Sequence, residues 1–261
     1  MHGNKPERSG LKFIDLVRIF LRSFLIQASW NYKGMLSLGF LYTIMPGLNR
    51  LYSEKEDRRK AAVRHLGFFN THPYLASYAA GATLSLEEEA ISDGGGDALD
   101  DVIRIKGSLC GPLGSLGDNL FWNHWRPVCA VIGILGVYLW GVMGPVIFLV
   151  LYNIPHLVVR SWGLVSAYKD RVNFIDDLSG PVYRFVPAFS ERMGSFFMGC
   201  LVVFFVGYSG AFNLSMRFIF LAGLLVSFLL LSRFRRYRIT YGVIAIVVSA
   251  VSLSGVSAWL R

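Results

Sequence analysis

The chain has 261 residues, of which 54% are hydrophobic and 16% charged, with a mean hydropathy of +0.47. Ordinary soluble domains carry about 25% charged residues, so the composition points to a polytopic membrane protein. The net charge of +9 would suit nucleic acid, but twelve of the 26 Lys and Arg fall in the first 66 residues, four more are Arg233, Arg235, Arg236 and Arg238, and no nucleic-acid recognition motif accompanies them; basic clusters beside apolar spans read as cytoplasmic flanks.

In chain order, residues 11–29 are amphipathic. Lys12, Asp15, Arg18 and Arg22 recur at helical spacing while Phe13, Ile14, Val17, Phe20, Leu21 and Phe24 cover the rest. Such a helix lies in the membrane interface or packs on a partner helix. The same charges interrupt the apolar run too often for a cleavable signal. Residues 49–65 are the most charged stretch and must be solvated on the cytoplasmic side. Residues 66–86 are moderately apolar, but Pro73 and Gly81 disfavour one straight helix; a re-entrant hairpin fits better. Glu87, Glu88 and Glu89 follow, then a loop rich in Gly and Asp.

Residues 107–127 read GSLCGPLGSLGDNLFWNHWRP. Four glycines and Pro112 predict broken backbone rather than an ordinary helix; in a membrane such backbone survives only where protein or a polar cavity surrounds it, and broken segments point to transport sites. Residues 128–152 are long enough for a span. Residues 154–168 continue apolar with His156 and Arg160 as interruptions, and residues 161–187 read as a loop with a short helix. Three further apolar segments cover 195–208, 217–232 and 241–260. Cys110, Cys129 and Cys200 lack metal or disulfide spacing and read as small buried hydrophobes. The expected fold is an all-α membrane protein with an amphipathic N-terminal arm over 1–64, re-entrant hairpins and about four to six membrane-embedded helical segments in a translocation domain over 65–261.

Polar groups interrupt apolar context at Asn70-Thr71-His72, at Glu87-Glu88 and at Asp118-Asn119. Ionisable groups at membrane depth are costly and usually functional. Carboxylates and amides can hold vicinal hydroxyls of a sugar, and Phe121, Trp122 or Trp125 can cover a pyranose face. Structural readings compete. Asn70 and Thr71, or Asp118, could cap helices. At most one or two of three consecutive glutamates face inward, and Arg126 could anchor at the interface. His72 lacks the HxxxH or HExxH pairing of a metal site. No P-loop, GxSxG or kinase signature marks an enzyme, and no cofactor is expected.

Four segments carry a family resemblance: SWNYKGMLSLGFLYTIMP (29–46), HLGFFNTHPYLASYAAGATLSLEEE (65–89), IKGSLCGPLGSLGDNLFWNHWRP (105–127) and LYNIPHLVVRSWGL (151–164). In order and spacing, over residues 29–210, they resemble the IID subunit of the mannose/fructose/sorbose-family phosphotransferase-system (PTS) permeases. The resemblance implies a non-catalytic, multi-pass subunit of the bacterial inner membrane. It would pair with a IIC subunit, as trimers of heterodimers, to translocate a small sugar, while cytoplasmic IIA and IIB carry the phosphate. Mannose, glucose, fructose, sorbose and amino sugars are family substrates. The candidate substrate contacts, read from the polar interruptions rather than from the resemblance, are Asn70, Thr71, His72, Glu87, Glu88, Asp118 and Trp122. The chain departs from the family at Asp118-Asn119, where Asp-Pro is common, at Asn123-His124, where Gly-Thr is common, and in a shortened region around 207–215. A divergent, non-transporting scaffold or sensor is the alternative. An ion channel lacks its ring of pore residues.

Overall fold

The computed structural model describes residues 10–93, 96–171, 180–208 and 222–223. The expectations for 217–232 and 241–260, for the Arg233 to Arg238 cluster and for most of 207–215 lie outside the described residues. The described chain is mostly helical: α1 (Phe13–Ser23), α2 (Ser37–Leu51), α3 (Lys55–His65), α4 (Ala76–Ser92), α5 (Asp97–Gly117), a π-helix (Asp118–Trp125), α6 (Arg126–Trp140), α7 (Met143–Asp170) and α8 (Pro181–Tyr208). Strand-like pairing among these residues is confined to isolated bridges, Asn31 with Met35 and Met35 with Phe69. Two compact units divide the chain, Met1–Phe197 and Met198–Arg261.

Two helices of the first unit are inside-out relative to a soluble protein. In α1 the inward residues are Asp15, Ile19 and Ser23, whereas Phe13 is 81% exposed and Ile14 and Leu21 also face outward. Asp15 accepts the Lys12 backbone N–H at 3.1 Å, satisfying an amide that a helix start leaves free. In α7 the buried side includes His156, Arg160, Gly163 and Ser166, while Ile154, Leu157, Val158, Trp162 and Val165 point out. Polar-in, apolar-out faces suit a lipid surround, since lipid offers no hydrogen bonds. Met143–Asp170 is the one described helix long and apolar enough to cross a membrane, and only 17% of its most apolar window is buried. A core helix of a soluble protein would be mostly covered. At about 1.5 Å per residue, this 28-residue helix reaches roughly 42 Å, more than the hydrocarbon thickness of about 30 Å.

The core lies between α2, α4 and α5, around Phe40, Ile44, Leu48, Phe69, Leu75, Leu84 and Leu113. Ile19 and Ile26 from the arm and Leu164 and Ala167 from α7 close it. Charged α3 runs outside, with only Ala61 and His65 buried.

Four local expectations need correction. Residues 128–152 are not one span: Gly141, at φ +58°, ends α6 and turns the chain into α7, a left-handed conformation that glycine adopts without steric cost. The glycine-rich run is helical through Gly117, and the irregularity falls in the π-helix after it. Gly81 does not break α4; a Cβ there would overlap the Leu164 carbonyl of α7, so it is a packing glycine. Residues 161–170 extend α7 rather than forming a loop.

The α6–α7 hairpin depends on backbone contact at Gly133, Gly136 and Gly144. A Cβ on Gly144 would overlap the Val137 amide nitrogen. Backbone cannot yield as a flexible side chain can, so Gly144→Ala should destabilise by about 1–3 kcal/mol. Gly111→Ala, where a Cβ would meet nothing within 4 Å, should be neutral or stabilising because alanine favours helix. Thermal unfolding of the purified variants checks the contrast; equal midpoints would rule out close backbone packing as the reason for Gly144.

Candidate functional site

The site is built on the segment between α3 and α4. Phe69 anchors it: its N–H donates to the Gly34 carbonyl at 3.3 Å and its own carbonyl accepts the Leu36 N–H at 2.8 Å. Its ring packs on Phe40 with centroids 4.1 Å apart, and the Lys106 ammonium lies 5.4 Å from the Phe40 centroid. Beyond the anchor, Thr71, His72 and Pro73 are buried against α5 while Asn70 stays exposed. The His72 carbonyl accepts the Leu75 and Ala76 N–H groups at 3.1 and 3.0 Å. No side chain caps α4, so Asn70 and Thr71 are not its cap.

Glycine permits the approach from α5. A Cβ on Gly117 would overlap the His72 ring, and one on Gly114 would sit 3.7 Å from the Thr71 Cα. The π-helix then adds aromatics: Phe121 stacks on His72 with centroids 5.5 Å apart, and Trp122, 44% exposed, lies 4.9 Å from the same ring. Trp125 ties this turn to α7 by donating its indole N–H to the Leu151 carbonyl at 3.0 Å. Short π-helical stretches occur often at functional sites.

From the other side, α7 supplies residues that were not selected from the sequence. The Tyr74 ring stacks on His156 at 4.3 Å, its hydroxyl meets that of Tyr152 at 2.8 Å, and the Arg160 guanidinium carbon lies 5.4 Å from its centroid. His156 Nε2 is 2.8 Å from the Asn153 Oδ1. Since an amide oxygen only accepts, that nitrogen carries the proton. The available signal was His156 and Arg160 at i,i+4 spacing within an apolar helix.

Buried polar atoms in this neighbourhood remain unpartnered: Thr71 Oγ1, His72 Nε2, His156 Nδ1 and Arg160 Nε. His72 Nδ1 accepts the Tyr74 N–H at 3.3 Å, so the ring is neutral and Nε2 is a free donor. A buried group without a hydrogen bond costs about 1–3 kcal/mol. Several in one place are the signature of a site that meets water or a polar ligand.

The other expected residues are distributed differently. Glu87, fully buried, belongs to a separate cluster: Oε1 accepts from Arg64 Nη2 and His65 Nε2, both at 2.8 Å, and Oε2 accepts from Arg64 at 2.8 Å and the Tyr52 hydroxyl at 2.5 Å. Burial alone would raise its pKa, but the hydrogen bonds from His65, Tyr52 and Arg64 prevail and hold it below the usual range. Burial also holds His65 below its ordinary value, against the opposing pull of Glu87. His65 is therefore a neutral donor, and Arg64 supplies the countercharge. Glu88 accepts from the Tyr168 hydroxyl at 2.5 Å; Glu89 pairs with Arg171 at 2.6 Å. The partners of Glu87 and Glu88 do not include Thr71, His72, Asp118 or Trp122. Asp118 is half-buried at the junction of α5 and the π-helix; it is the C-cap residue of α5 through its backbone N–H, and no side chain caps the π-helix. Among the described residues no three His, Cys, Asp or Glu side chains converge as metal ligands.

Described residues that are mainly helical, with α1 and α7 turning polar residues inward and apolar faces outward, define a membrane protein. Over residues 11–252 it matches the family described as PTS system mannose/fructose/sorbose family IID component. It is 38% identical over 192 residues to the mannose-specific EIID component of Escherichia coli K12, covering 72% of this chain and 66% of that one. It is 36% identical over 190 residues to the sorbose-specific EIID component of Klebsiella pneumoniae, covering 72% and 68%. A solved complex of the mannose transporter ManYZ with microcin E492 contains a chain that aligns at a TM-score of 0.59 and 37% identity, over 74% of this chain and 70% of that one. The chain belongs to the IID component family of mannose/fructose/sorbose PTS permeases. It spans just under two thirds, 66%, of the length of the Escherichia coli relative.

Proposed function

We propose that this chain is the IID membrane subunit of a sugar permease. It works in the bacterial inner membrane as a multi-pass protein and pairs with a IIC subunit, in trimers of heterodimers, to translocate a hexose-like sugar. Cytoplasmic IIA and IIB carry the phosphate, and the chain itself is non-catalytic. The observation that carries this reading is the cluster of buried, unpartnered polar atoms beside an exposed indole. Thr71 Oγ1 and His72 Nε2–H offer hydrogen bonds to hydroxyls, Trp122 offers a face to a pyranose, and Asn70 and Asp118 flank them with an amide and a carboxylate. Glu87, with both oxygens engaged by Tyr52, Arg64 and His65, and Glu88, bonded to the Tyr168 hydroxyl, are held by other parts of the chain, so we leave them out of the sugar contacts. A scaffold would gain nothing from leaving donors unpaired at depth, so the non-transporting alternative is not favoured.

The test is uptake of labelled sugars by cells expressing the chain with its IIC and IIB partners. Losing a hydrogen bond to a charged group costs about 1.5–3 kcal/mol, or about tenfold to a hundredfold in affinity. Asp118→Asn should thus raise the half-saturating concentration by that factor while assembly with IIC persists, and Cys110→Ala should leave it unchanged. Normal uptake by Asp118→Asn would remove that residue from the contact set. Phosphoryl transfer gives a second check. With phosphoenolpyruvate and the general phosphotransfer proteins, none of the five histidines should acquire label, and stable label on any would overturn the non-catalytic assignment.

A further inference from the structure

Arg160 is 3% exposed, and among the described residues no carboxylate lies within ion-pairing distance of it. A buried cation on a membrane-crossing helix is expensive without compensation. Its compensation comes from two other parts of the chain. Nη1 donates to the Ser23 carbonyl at 2.5 Å and the Ser23 hydroxyl at 2.9 Å. Ser23 is the last residue of α1, where the negative end of the helix dipole favours a cation, and its carbonyl also accepts the Ile26 N–H at 3.3 Å. The guanidinium carbon also lies over two rings, 4.8 Å from the Phe24 centroid next to Ser23 and 5.4 Å from that of Tyr74. Tyr74 in turn holds His72, through its N–H to Nδ1 and an edge contact between rings 4.9 Å apart.

The contacts therefore run without a gap from the end of the N-terminal arm, through Arg160 and Tyr74, to the free donor of His72. We propose that Arg160 is a positioning residue that couples the seating of the N-terminal arm on the membrane domain to the orientation of His72 in the sugar site. The coupling rests on the sugar-site reading for its consequence, but not for its mechanics. Arginine suits the role better than lysine. Its planar group can span a carbonyl and two ring faces at once, whereas an ammonium would keep only the charge at the helix end.

The experiment uses the full chain assembled with its IIC partner in lipid nanodiscs, and reads amide hydrogen exchange at the arm (Phe24, Leu25, Ile26) and at the site loop (Tyr74, Leu75, Ala76). Arg160→Gln should speed exchange by about tenfold or more at both places, with partial rescue in Arg160→Lys. Phe24→Leu, which alters the arm alone, should speed exchange at Tyr74 to Ala76 in the presence of Arg160 and add nothing in the Arg160→Gln background. In uptake, Arg160→Gln should raise half-saturation several-fold with the maximal rate per assembled complex little changed. Faster exchange confined to the arm, with loop and half-saturation unchanged, would reduce Arg160 to a simple anchor and overturn the proposal. Multiplying effects of Phe24→Leu and Arg160→Gln at the loop would do the same. If Arg160→Gln does not assemble, Arg160→Lys carries the same comparison. Should the wild-type complex take up no sugar, the permease reading fails, while the exchange pattern still decides the coupling.

Discussion

Replacing Glu87 with alanine should destabilise the chain by about 3–5 kcal/mol, the usual consequence of removing one member of a buried charged pair. Arg64, His65 and Tyr52 all direct donors at its two oxygens, and Glu87 and His65 are wholly buried. Without the carboxylate, the Arg64 charge and the His65 Nε2–H lose their acceptor together, and α3 loses its tie to α4. Glu56→Ala supplies the contrast. Its pair with Arg59 is exposed on both sides, so the change should stay within about 0.5 kcal/mol. Thermal and denaturant unfolding of the assembled complex measures both, and equal effects would mean that the Glu87 cluster does not hold α3. The same cluster sets a pH dependence. His65 has a folded pKa below its ordinary 6.5, so below pH 6.5 the unfolded chain binds a proton that the folded one refuses. Stability from this group is complete above 6.5 and falls as the medium acidifies, by up to about 1.4 kcal/mol per pH unit. Glu87, also held below its ordinary 4.5, adds a further loss as pH drops under 4.5 toward its folded value.

Residues 65–127 show which signals a linear reading catches. Pro73, the polar triplet before it and the aromatic run after Gly117 disclosed a bent, polar-lined segment, because proline and ionisable residues in apolar sequence carry local meaning by themselves. The role of the glycines was hidden, because it depends on a partner surface. Gly81, Gly117 and Gly144 resemble helix breakers in one dimension, yet each is a place where another element comes too close for a Cβ. Hydropathy alone also could not see that Gly141 folds residues 128–152 back on themselves, since both arms of that hairpin are equally apolar. The sequence groups Glu87 with the candidate sugar contacts, because a carboxylate in apolar sequence looks the same whether it meets a ligand or an arginine. Its partners, Arg64 and His65, lie more than 20 positions earlier. In a linear reading Arg160 and His156 only interrupt an apolar run, yet their i,i+4 spacing sets both on the face of α7 that turns inward.

Gly117→Ala should cost about tenfold or more in sugar uptake while leaving the complex assembled. A Cβ at this position would overlap the Cβ, Cγ and Nδ1 of His72, so the ring cannot stay where it is. Moving it breaks the Tyr74 N–H contact to Nδ1 and the stack on Phe121, and the Nε2 donor is re-aimed. Misplacing a binding group by about 1 Å is enough to lose about two orders of magnitude in a positioned site. Stability alone would not report this loss, because alanine gains up to about 1 kcal/mol over glycine in a helix and masks part of the repulsion. Uptake is therefore the measurement, with Gly111→Ala as the control in open space on the same helix. The cause is separated by combining changes. In a His72→Gly background both the ring and its Cβ are absent, so adding Gly117→Ala should reduce uptake no further. If the two losses instead multiply, Gly117 acts on the π-helix rather than on His72, and the site would have to be rebuilt around Trp122 and Asp118.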